Sequence, residues 1–159
     1  WVPPARDRKR FATKPKRYLA DPSLACAILG MSPKALFEDW QTFGLVFESL
    51  VIRDLSVYAR ALDLLDDAPV RYYRDDSGLE ADAVVQRADG RWAAFEVKVS
   101  EEKVPTAVEG LKRLRKKLCK NPRSRTREPE FMAVITGNGE FAREVEPGIY
   151  AVPIRVLGR

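Results

Sequence analysis

Two short motifs carry the residues that could do chemistry, Glu80-Ala81-Asp82 and Glu96-Val97-Lys98, and an Asp89-Gly90 turn signal lies between them. The flanking residues 81–86 and 92–99 are rich in Val, Phe and Trp, so they predict the two strands of a β-hairpin. Because side chains alternate along a strand, pairing of the motifs would gather three carboxylates and one ammonium on one face. Such a group could bind a divalent cation and act on a phosphodiester.

The register of this hairpin decides whether the acids meet. A three-residue loop over 88–90, with Gly90 in a positive-φ conformation, places Asp82 opposite Glu96 and Glu80 opposite Lys98. A two-residue turn would shift the pairing by one place and move Asp82 away from Glu96. The predicted site therefore depends on the longer loop.

Two interpretations of these four residues remain open. Facing carboxylates, with about 5 Å between their Cβ atoms, repel each other unless a proton or a cation lies between them. Mg²⁺ commonly binds through one or two carboxylates plus phosphate, and Lys98 could orient or help to activate the attacking water. The alternative is an exposed ion pair between Glu80 and Lys98 with the other acids solvated, because such surface pairs are common and contribute little.

Composition limits the class of protein. A length of 159 residues and a hydrophobic content of 45% predict one globular domain with a sizeable core. No apolar run is long enough for a transmembrane helix, so no membrane partner is predicted. Histidine is absent, and Cys26 and Cys119 lie far apart, which excludes histidine-based catalysis and a typical zinc site. Nothing requires an oxidising compartment, so we predict a cytoplasmic location.

The net charge of +5 is unevenly distributed between two basic clusters. The first falls within residues 1–17, which we interpret as an irregular connector cut from a longer protein. Basic clusters suit a polyanion, because neutralised phosphates release counterions, although a solvated surface without a binding role is the alternative. In the second cluster, the residues predicted to bind nucleic acid are Lys112, Arg113, Arg115, Lys116, Lys117, Lys120 and Arg123.

Helix signals precede the hairpin. Asp21-Pro22 and Ser32-Pro33 each combine a capping residue with a proline at the first helical position. Residues 39–64 have apolar side chains at helical spacing, and Glu48 lies at the edge of the apolar face. An acid in that position either reaches water or needs a partner.

The chain after the hairpin predicts a crossover. Residues 106–118 form an amphipathic basic helix, and 131–136 are a continuous apolar run typical of a buried central strand. A last strand at 149–154 carries Pro153 and is predicted at an edge of the sheet. Together with the hairpin, these elements predict an α/β fold, with a mixed sheet flanked by helices.

A series of motifs spans nearly the whole chain: Lys16-Arg17-Tyr18 to Asp21, Gly44-Leu45-Val46-Phe47-Glu48, Tyr72-Tyr73-Arg74-Asp75, Gly78-Leu79-Glu80-Ala81-Asp82, Phe95-Glu96-Val97-Lys98 and Val152-Pro153. Together they resemble the carboxy-terminal domain of unknown function that follows the P-loop module in a large prokaryotic family of AAA-type ATPases. The order of acid-bearing helix, Asp strand and Glu-x-Lys strand is also similar to the PD-(D/E)xK, or restriction-endonuclease-like, superfamily.

This resemblance implies a restriction-endonuclease-like core with N-terminal helices. Residues 1–17 would connect it to a missing N-terminal ATPase region, and residues 18–159 would form a single nuclease-like domain. Asp82 and Glu96 would hold Mg²⁺ or Mn²⁺, with the carbonyl of Val97 as a further ligand. Catalysis would involve these two acids, Lys98 handling the attacking water and Glu48 as an accessory acid, with Glu80 as a supporting residue.

Three functions follow from these expectations. The domain is a metal-dependent nuclease, a DNA-binding module that does not cleave, or a protein-interaction module of the ATPase, since a fold does not imply a function. The predicted partners are nucleic acid and the absent ATPase domain, and a homo-oligomer is compatible with the sequence. No Gly-Lys-Ser or Gly-Lys-Thr loop occurs, so ATP would bind only in the missing region. We favour a nuclease-like domain associated with nucleic acid.

Overall fold

The computed structural model describes residues 16–61, 70–120 and 126–158. The α-helices in these ranges are α1 (Pro22–Ile28), α2 (Pro33–Glu38), α3 (Trp40–Ala61) and α4 (Val104–Cys119). The strands are β1 (Val70–Arg74), β2 (Glu80–Gln86), β3 (Trp92–Lys98), β4 (Phe131–Thr136), β5 (Arg143–Glu146) and β6 (Ile149–Pro153). They form one mixed sheet in the order β1-β2-β3-β4-β6-β5, which confirms the predicted fold class.

Side-chain caps fix the starts of the first two helices where the sequence predicts them. Asp21 accepts a hydrogen bond from the amide of Ser23 at 2.9 Å, and Ser32 accepts one from the amide of Ala35 at 3.2 Å. A proline follows each cap, at a position where a backbone N–H would have no partner within the helix. These two short helices lead into α3, which carries Glu48.

The β2–β3 hairpin has the predicted register. Ala83 faces Phe95, and Gln86 faces Trp92. The amide of Arg87 donates to the carbonyl of Arg91 at 2.8 Å, and Gly90 has a φ of 84°. A residue with a side chain would be strained in that conformation, so the glycine allows the three-residue loop that sets the register.

Helices cover both faces of the sheet. On one face α4 packs through Leu111 and Leu114, which are fully buried against Met132 and Ile149. The opposite face is covered by α3, and the buried side chains there include Phe47, Val51, Leu55, Phe95 and Ile135. Burial of each large apolar side chain contributes about 1.5–3 kcal/mol, so both faces hold the site's elements in place.

The prediction that the last strand lies at an edge is wrong. β6 lies between β4 and β5. Pro153 is tolerated because it is the last residue of β6 and faces Thr136, so its missing N–H falls where the ladder ends. The edge strand beside β6 is β5, whose sequence Arg-Glu-Val-Glu has no apolar run and therefore gave no strand signal.

No helix in the three described ranges is long and apolar enough to span a membrane. Most of the predicted basic connector, residues 1–15, lies outside the described residues, as does Arg123 of the second basic cluster.

Candidate functional site

Asp82 lies where the backbones of β2 and β3 stop pairing. The last paired residues are Ala83 and Phe95. Asp82 and Glu96 are the next residues on β2 and β3 beyond this pair. The amide of Val97 donates to Oδ2 of Asp82 at 2.9 Å, so a side-chain carboxylate bonds to β3 beyond the paired residues. Both acids are only 7% exposed. Buried charges of this kind require hydrogen bonds and counter-charges.

Lys98 supplies one of these counter-charges. Its Nζ lies 2.8 Å from Oε2 of Glu96 and 3.8 Å from Oδ2 of Asp82. Burial disfavours the positive charge of Lys98, but the two carboxylates outweigh this effect and raise its pKa above the ordinary value. Lys98 is therefore an ammonium that can donate hydrogen bonds and stabilise negative charge, and it is not suited to accept a proton.

Glu96 is short of positive charge despite this contact. Burial raises the pKa of Glu96 to about 7, the nearby charge of Asp82 acts in the same direction, and Lys98 opposes both effects. Within the described residues, Lys98 is the one hydrogen-bond donor to this carboxylate. A further cation at Glu96 would thus be favourable.

A second lysine contacts the cluster from the segment before α1. Nζ of Lys16 lies 3.1 Å from Oε1 of Glu48 and 3.3 Å from Oδ1 of Asp82. The hydroxyl of Tyr18 donates to the same Glu48 oxygen at 2.8 Å. Glu48 therefore has two partners at the edge of the apolar face of α3. Sequence reasoning did not place Lys16 or Tyr18 in the site, although both belong to the first motif of the series.

Glu80 is more exposed than the other acids. It forms a long ion pair with Arg74, with 3.8 Å between Oε2 and the guanidinium, and both side chains are about half exposed. The ion pair between Glu80 and Lys98 that the alternative interpretation predicted does not form, because Lys98 contacts Glu96 and Asp82 instead. An exposed pair of this kind contributes about 1 kcal/mol or less.

A close backbone contact holds the end of β3. Gly137, directly after β4, approaches Val99 so closely that a Cβ atom would lie 2.8 Å from the Val99 carbonyl oxygen. The amide of Gly137 donates to the carbonyls of Lys98 and Val99 at 3.2 and 3.1 Å. The absence of a side chain at this glycine lets β4 fix the backbone that carries Lys98.

Asp82 and Glu96 are the residues that could hold a divalent ion, which would have to take further ligands from a substrate. Asp82 and Glu96 could supply two carboxylates, and Mg²⁺ commonly binds through one or two carboxylates together with phosphate. In the parts of the chain that the structure describes, no group of three or more His, Cys, Asp or Glu side chains forms a ready-made metal site. Instead, Lys98 and Lys16 place two ammonium groups against the same carboxylates.

A cleft of about 440 Å³ opens beside the cluster. Glu80, Glu96 and Lys98 line it from the hairpin, whereas α4 contributes Arg113 and Lys117. The acidic residues of β2 and β3 therefore share one cavity with part of the basic helix, as an active site for a polyanion would require.

The basic side chains of α4 point in different directions. Lys112 forms ion pairs with Glu109 at 2.8 Å and Glu146 at 3.5 Å, and Arg115 donates to the carbonyl of Pro147 at 3.2 Å. These two residues are occupied by contacts with the protein itself. The exposed residues Arg113, Lys116, Lys117 and Lys120 line a second cavity of about 400 Å³ on the surface of the helix, and of these Lys117 contacts Asp75 at 2.7 Å.

Comparisons with known proteins identify a family. The model of the family described as Domain of unknown function (DUF4143) matches residues 43–157. No curated protein matches the chain. Among solved structures, the chain is similar at 16% identity and a TM-score of 0.39 to a chain from the refined half-complex of a tetradecameric assembly of Thermococcus gammatolerans McrB AAA+ hexamers with bound McrC. That similarity covers 69% of this chain and 27% of the other, so this chain spans well under half of its neighbour's length. The protein belongs to the DUF4143 family.

Proposed function

We propose that this chain is a nuclease-like domain that binds nucleic acid and hydrolyses phosphodiester bonds with Mg²⁺ or Mn²⁺. The observation that carries this proposal is the position of Lys98, whose Nζ lies 2.8 Å from Glu96 and 3.8 Å from Asp82. A cation held against two buried carboxylates, beside a cleft that also contains an arginine, is suited to chemistry on a phosphate ester.

Each residue of the cluster has a distinct role in this proposal. Asp82 and Glu96 would hold the metal, which supplies Lewis-acid polarisation of a phosphoryl oxygen when bound. Lys98 would donate a hydrogen bond to the attacking water and stabilise negative charge on the phosphate. Glu48 would act as an accessory acid, because it binds Lys16 and thereby sets the charge next to Asp82. Glu80 would support the site electrostatically from its half-buried position in the lining of the cleft.

Cleavage of plasmid and branched DNA in Mn²⁺ tests the proposal. We expect the unaltered domain to cut, and Lys98→Ala, Asp82→Ala and Glu96→Ala each to lower the rate about a hundredfold or more. The first change removes a charge that stabilises the phosphate, and the other two each remove a ligand of the metal. Lys103→Ala is the matched control, because Lys103 is an exposed lysine only a few residues away. Equal cutting by the unaltered domain and by folded Lys98→Ala would rule out this active site.

A binding module that does not cleave is the second candidate. The observation that favours it is Lys16, which lies against Glu48 and Asp82 and neutralises part of the cluster without a metal. This candidate predicts salt-sensitive binding of nucleic acid that Asp82→Ala and Glu96→Ala leave unchanged. Such binding would be lost when the exposed basic side chains of α4 are neutralised.

Exposed apolar side chains favour a third candidate, a protein-interaction module. Ile28 is 83% exposed, and Leu29, Phe37 and Trp40 are each more than half exposed near α1, α2 and the start of α3. The rings of Phe37 and Trp40 lie against each other, and contiguous apolar surface often marks a contact with another protein. This candidate predicts neither cleavage nor binding of nucleic acid by the domain.

We also propose that the domain works in the cytoplasm as the carboxy-terminal part of an AAA-type ATPase. Support comes from the series of motifs between Lys16 and Pro153, together with membership of DUF4143. In this arrangement residues 1–17 would join the two parts, and ATP would bind only in the ATPase region.

A further inference from the structure

We infer that the cleft beside α4 binds the sugar-phosphate backbone of a single nucleic-acid strand and that Arg113 anchors one of its phosphates. Any role of this contact in cleavage rests on the proposed function. Binding itself does not require cleavage, so the two can be tested separately.

The cations that line the cleft are not equally available. Nζ of Lys98 contacts Glu96 at 2.8 Å, and Nζ of Lys117 contacts Asp75 at 2.7 Å. Arg113 is exposed, and within the described residues no hydrogen bond or ion pair engages its guanidinium. A guanidinium can form two parallel hydrogen bonds to one phosphate. Arg113 is therefore the cation in this cleft that can bind a phosphate without giving up a contact.

Two further lysines continue the basic surface away from the cleft. Lys116 and Lys120 follow Arg113 at helical spacings that place all three on one side of α4, and all three line the adjoining cavity of about 400 Å³. Arg113 and Lys120 are seven residues apart, which corresponds to about 10 Å along the helix. A strand anchored at Arg113 would thus pass over Lys116 and Lys120.

The lining of the cleft is polar and aliphatic. No aromatic side chain is found among the residues that line it in the described part of the chain, so bases have no stacking platform. Its volume of about 440 Å³ lies toward the small end of ligand cavities, which are about 300–1,000 Å³. A cavity of this size and lining suits one strand held by its phosphates, with little dependence on base sequence.

The binding of labelled oligonucleotides in EDTA, followed by fluorescence anisotropy, tests this inference without any cleavage. We expect Arg113→Ala to weaken the binding of single-stranded DNA about tenfold, corresponding to the loss of one charged hydrogen-bonded contact. Arg113→Lys should recover part of the affinity, because charge remains but the bidentate geometry is lost. Lys116→Ala and Lys120→Ala should each reduce by about one the slope of the logarithm of the binding constant against the logarithm of the salt concentration.

Lys103→Ala is the matched control, because Lys103 is an exposed lysine directly before α4 and does not line the cleft. We expect this change to alter affinity less than twofold. Equal weakening by Lys103→Ala and Arg113→Ala would show a diffuse charge effect and overturn the inference, as would duplex binding tighter than single-strand binding. A set of single strands of different base sequence should bind alike, and a strong preference would also contradict it.

DNA and RNA share the phosphodiester backbone, so a contact with phosphates is compatible with either. Comparing the affinities for DNA and RNA oligonucleotides of the same sequence shows which type of strand the cleft binds. If Arg113→Ala weakens binding but Lys98→Ala leaves cleavage unchanged, the binding site stands and the proposed nuclease fails. If cleavage requires Lys98 but Arg113→Ala and Arg113→Lys both bind normally, the nuclease stands and this anchor fails.

Discussion

Two buried carboxylates near the same cleft differ sharply in how they are satisfied. Asp75 is 4% exposed, and its donors are the hydroxyl of Tyr73, the amide and hydroxyl of Ser77, the amide of Leu79 and the ammonium of Lys117. Burial alone would raise its pKa, but these hydrogen bonds lower it to about 2. Glu96 is 7% exposed, has a donor in Lys98, and has a pKa raised to about 7.

The difference separates an acid that holds the fold from one that is available for binding. Asp75 has its oxygens saturated by the loop that follows β1 and by α4, so a new ligand would have to break existing bonds. Glu96 is buried next to Asp82 with too little positive charge, which favours a proton, a metal ion or another cation beside it. The two acids should therefore respond in opposite ways to substitution and to pH.

The largest expected effect concerns Asp75. We expect Asp75→Ala to lower the free energy of unfolding at pH 7 by about 3 kcal/mol, because it leaves several donors and Lys117 without their acceptor. A carboxyl whose pKa is lowered from 3.8 to about 2 stabilises the fold above pH 4, and this contribution is lost as the pH falls toward 2. The gap between the unaltered and altered domains in urea unfolding should therefore narrow in acid.

Asp76→Ala is the control for this change, because Asp76 is the exposed neighbour of Asp75. It should change the free energy of unfolding by less than about 0.5 kcal/mol. If both substitutions have the same effect, the hydrogen bonds to Asp75 do not stabilise the domain and the first half of the comparison fails.

Glu96 should show the opposite sign in metal-free buffer. Its pKa is raised from 4.5 to about 7, so the folded state is stabilised relative to the unfolded state below pH 4.5, and this contribution is lost as the pH rises through 7. Each unit of pKa difference corresponds to about 1.4 kcal/mol, so Glu96→Gln should gain up to a few kcal/mol relative to the unaltered domain at pH 8.

Thermal unfolding in EDTA at pH 5 and pH 8 measures this effect. The unaltered domain should lose more stability between the two values than Glu96→Gln does. A difference of the same size in both would mean that Glu96 is ionised normally, and the contrast with Asp75 would disappear.

The sequence predicts features that arise from residues close together in the chain, and it misses those that arise from residues far apart. The turn at Asp89-Gly90 and the strand pattern set a local register, and so the approach of Asp82 to Glu96 could be predicted by counting. Capped helix starts at Asp21 and Ser32 were predictable for the same reason. These features depend on residues close together in the chain.

The unpredicted features depend on contacts between distant segments. Asp75 looks like an ordinary turn residue until α4 places Lys117 beside it, 42 residues later. Lys16 reaches Asp82 across 66 residues, and nothing in the local pattern around either residue predicts the contact. Strand β5 was missed because its own sequence is polar and shows no hydrophobic periodicity. It forms a strand because it pairs with β6 at the edge of the sheet.

Lys16 should be a cation that a metal ion can replace if Asp82 and Glu96 form a binding site. We expect Lys16→Met to lower the free energy of unfolding by about 1 kcal/mol, since its ammonium is partly exposed and its two ion pairs are screened. The same substitution should strengthen the binding of Mn²⁺ several-fold, because one competing positive charge leaves the carboxylate of Asp82.

Thermal shifts during a Mn²⁺ titration give both quantities in one experiment, because an ion that binds the folded state raises the melting temperature according to its affinity. Arg17→Met is the matched control, since Arg17 is the exposed basic neighbour of Lys16 and should leave both quantities unchanged. If Lys16→Met loses stability that no concentration of Mn²⁺ restores, Lys16 is a fixed structural partner like Lys117. The acids around Asp82 would then belong with Asp75, and the comparison between a structural and an available carboxylate would fail at this point of the molecule.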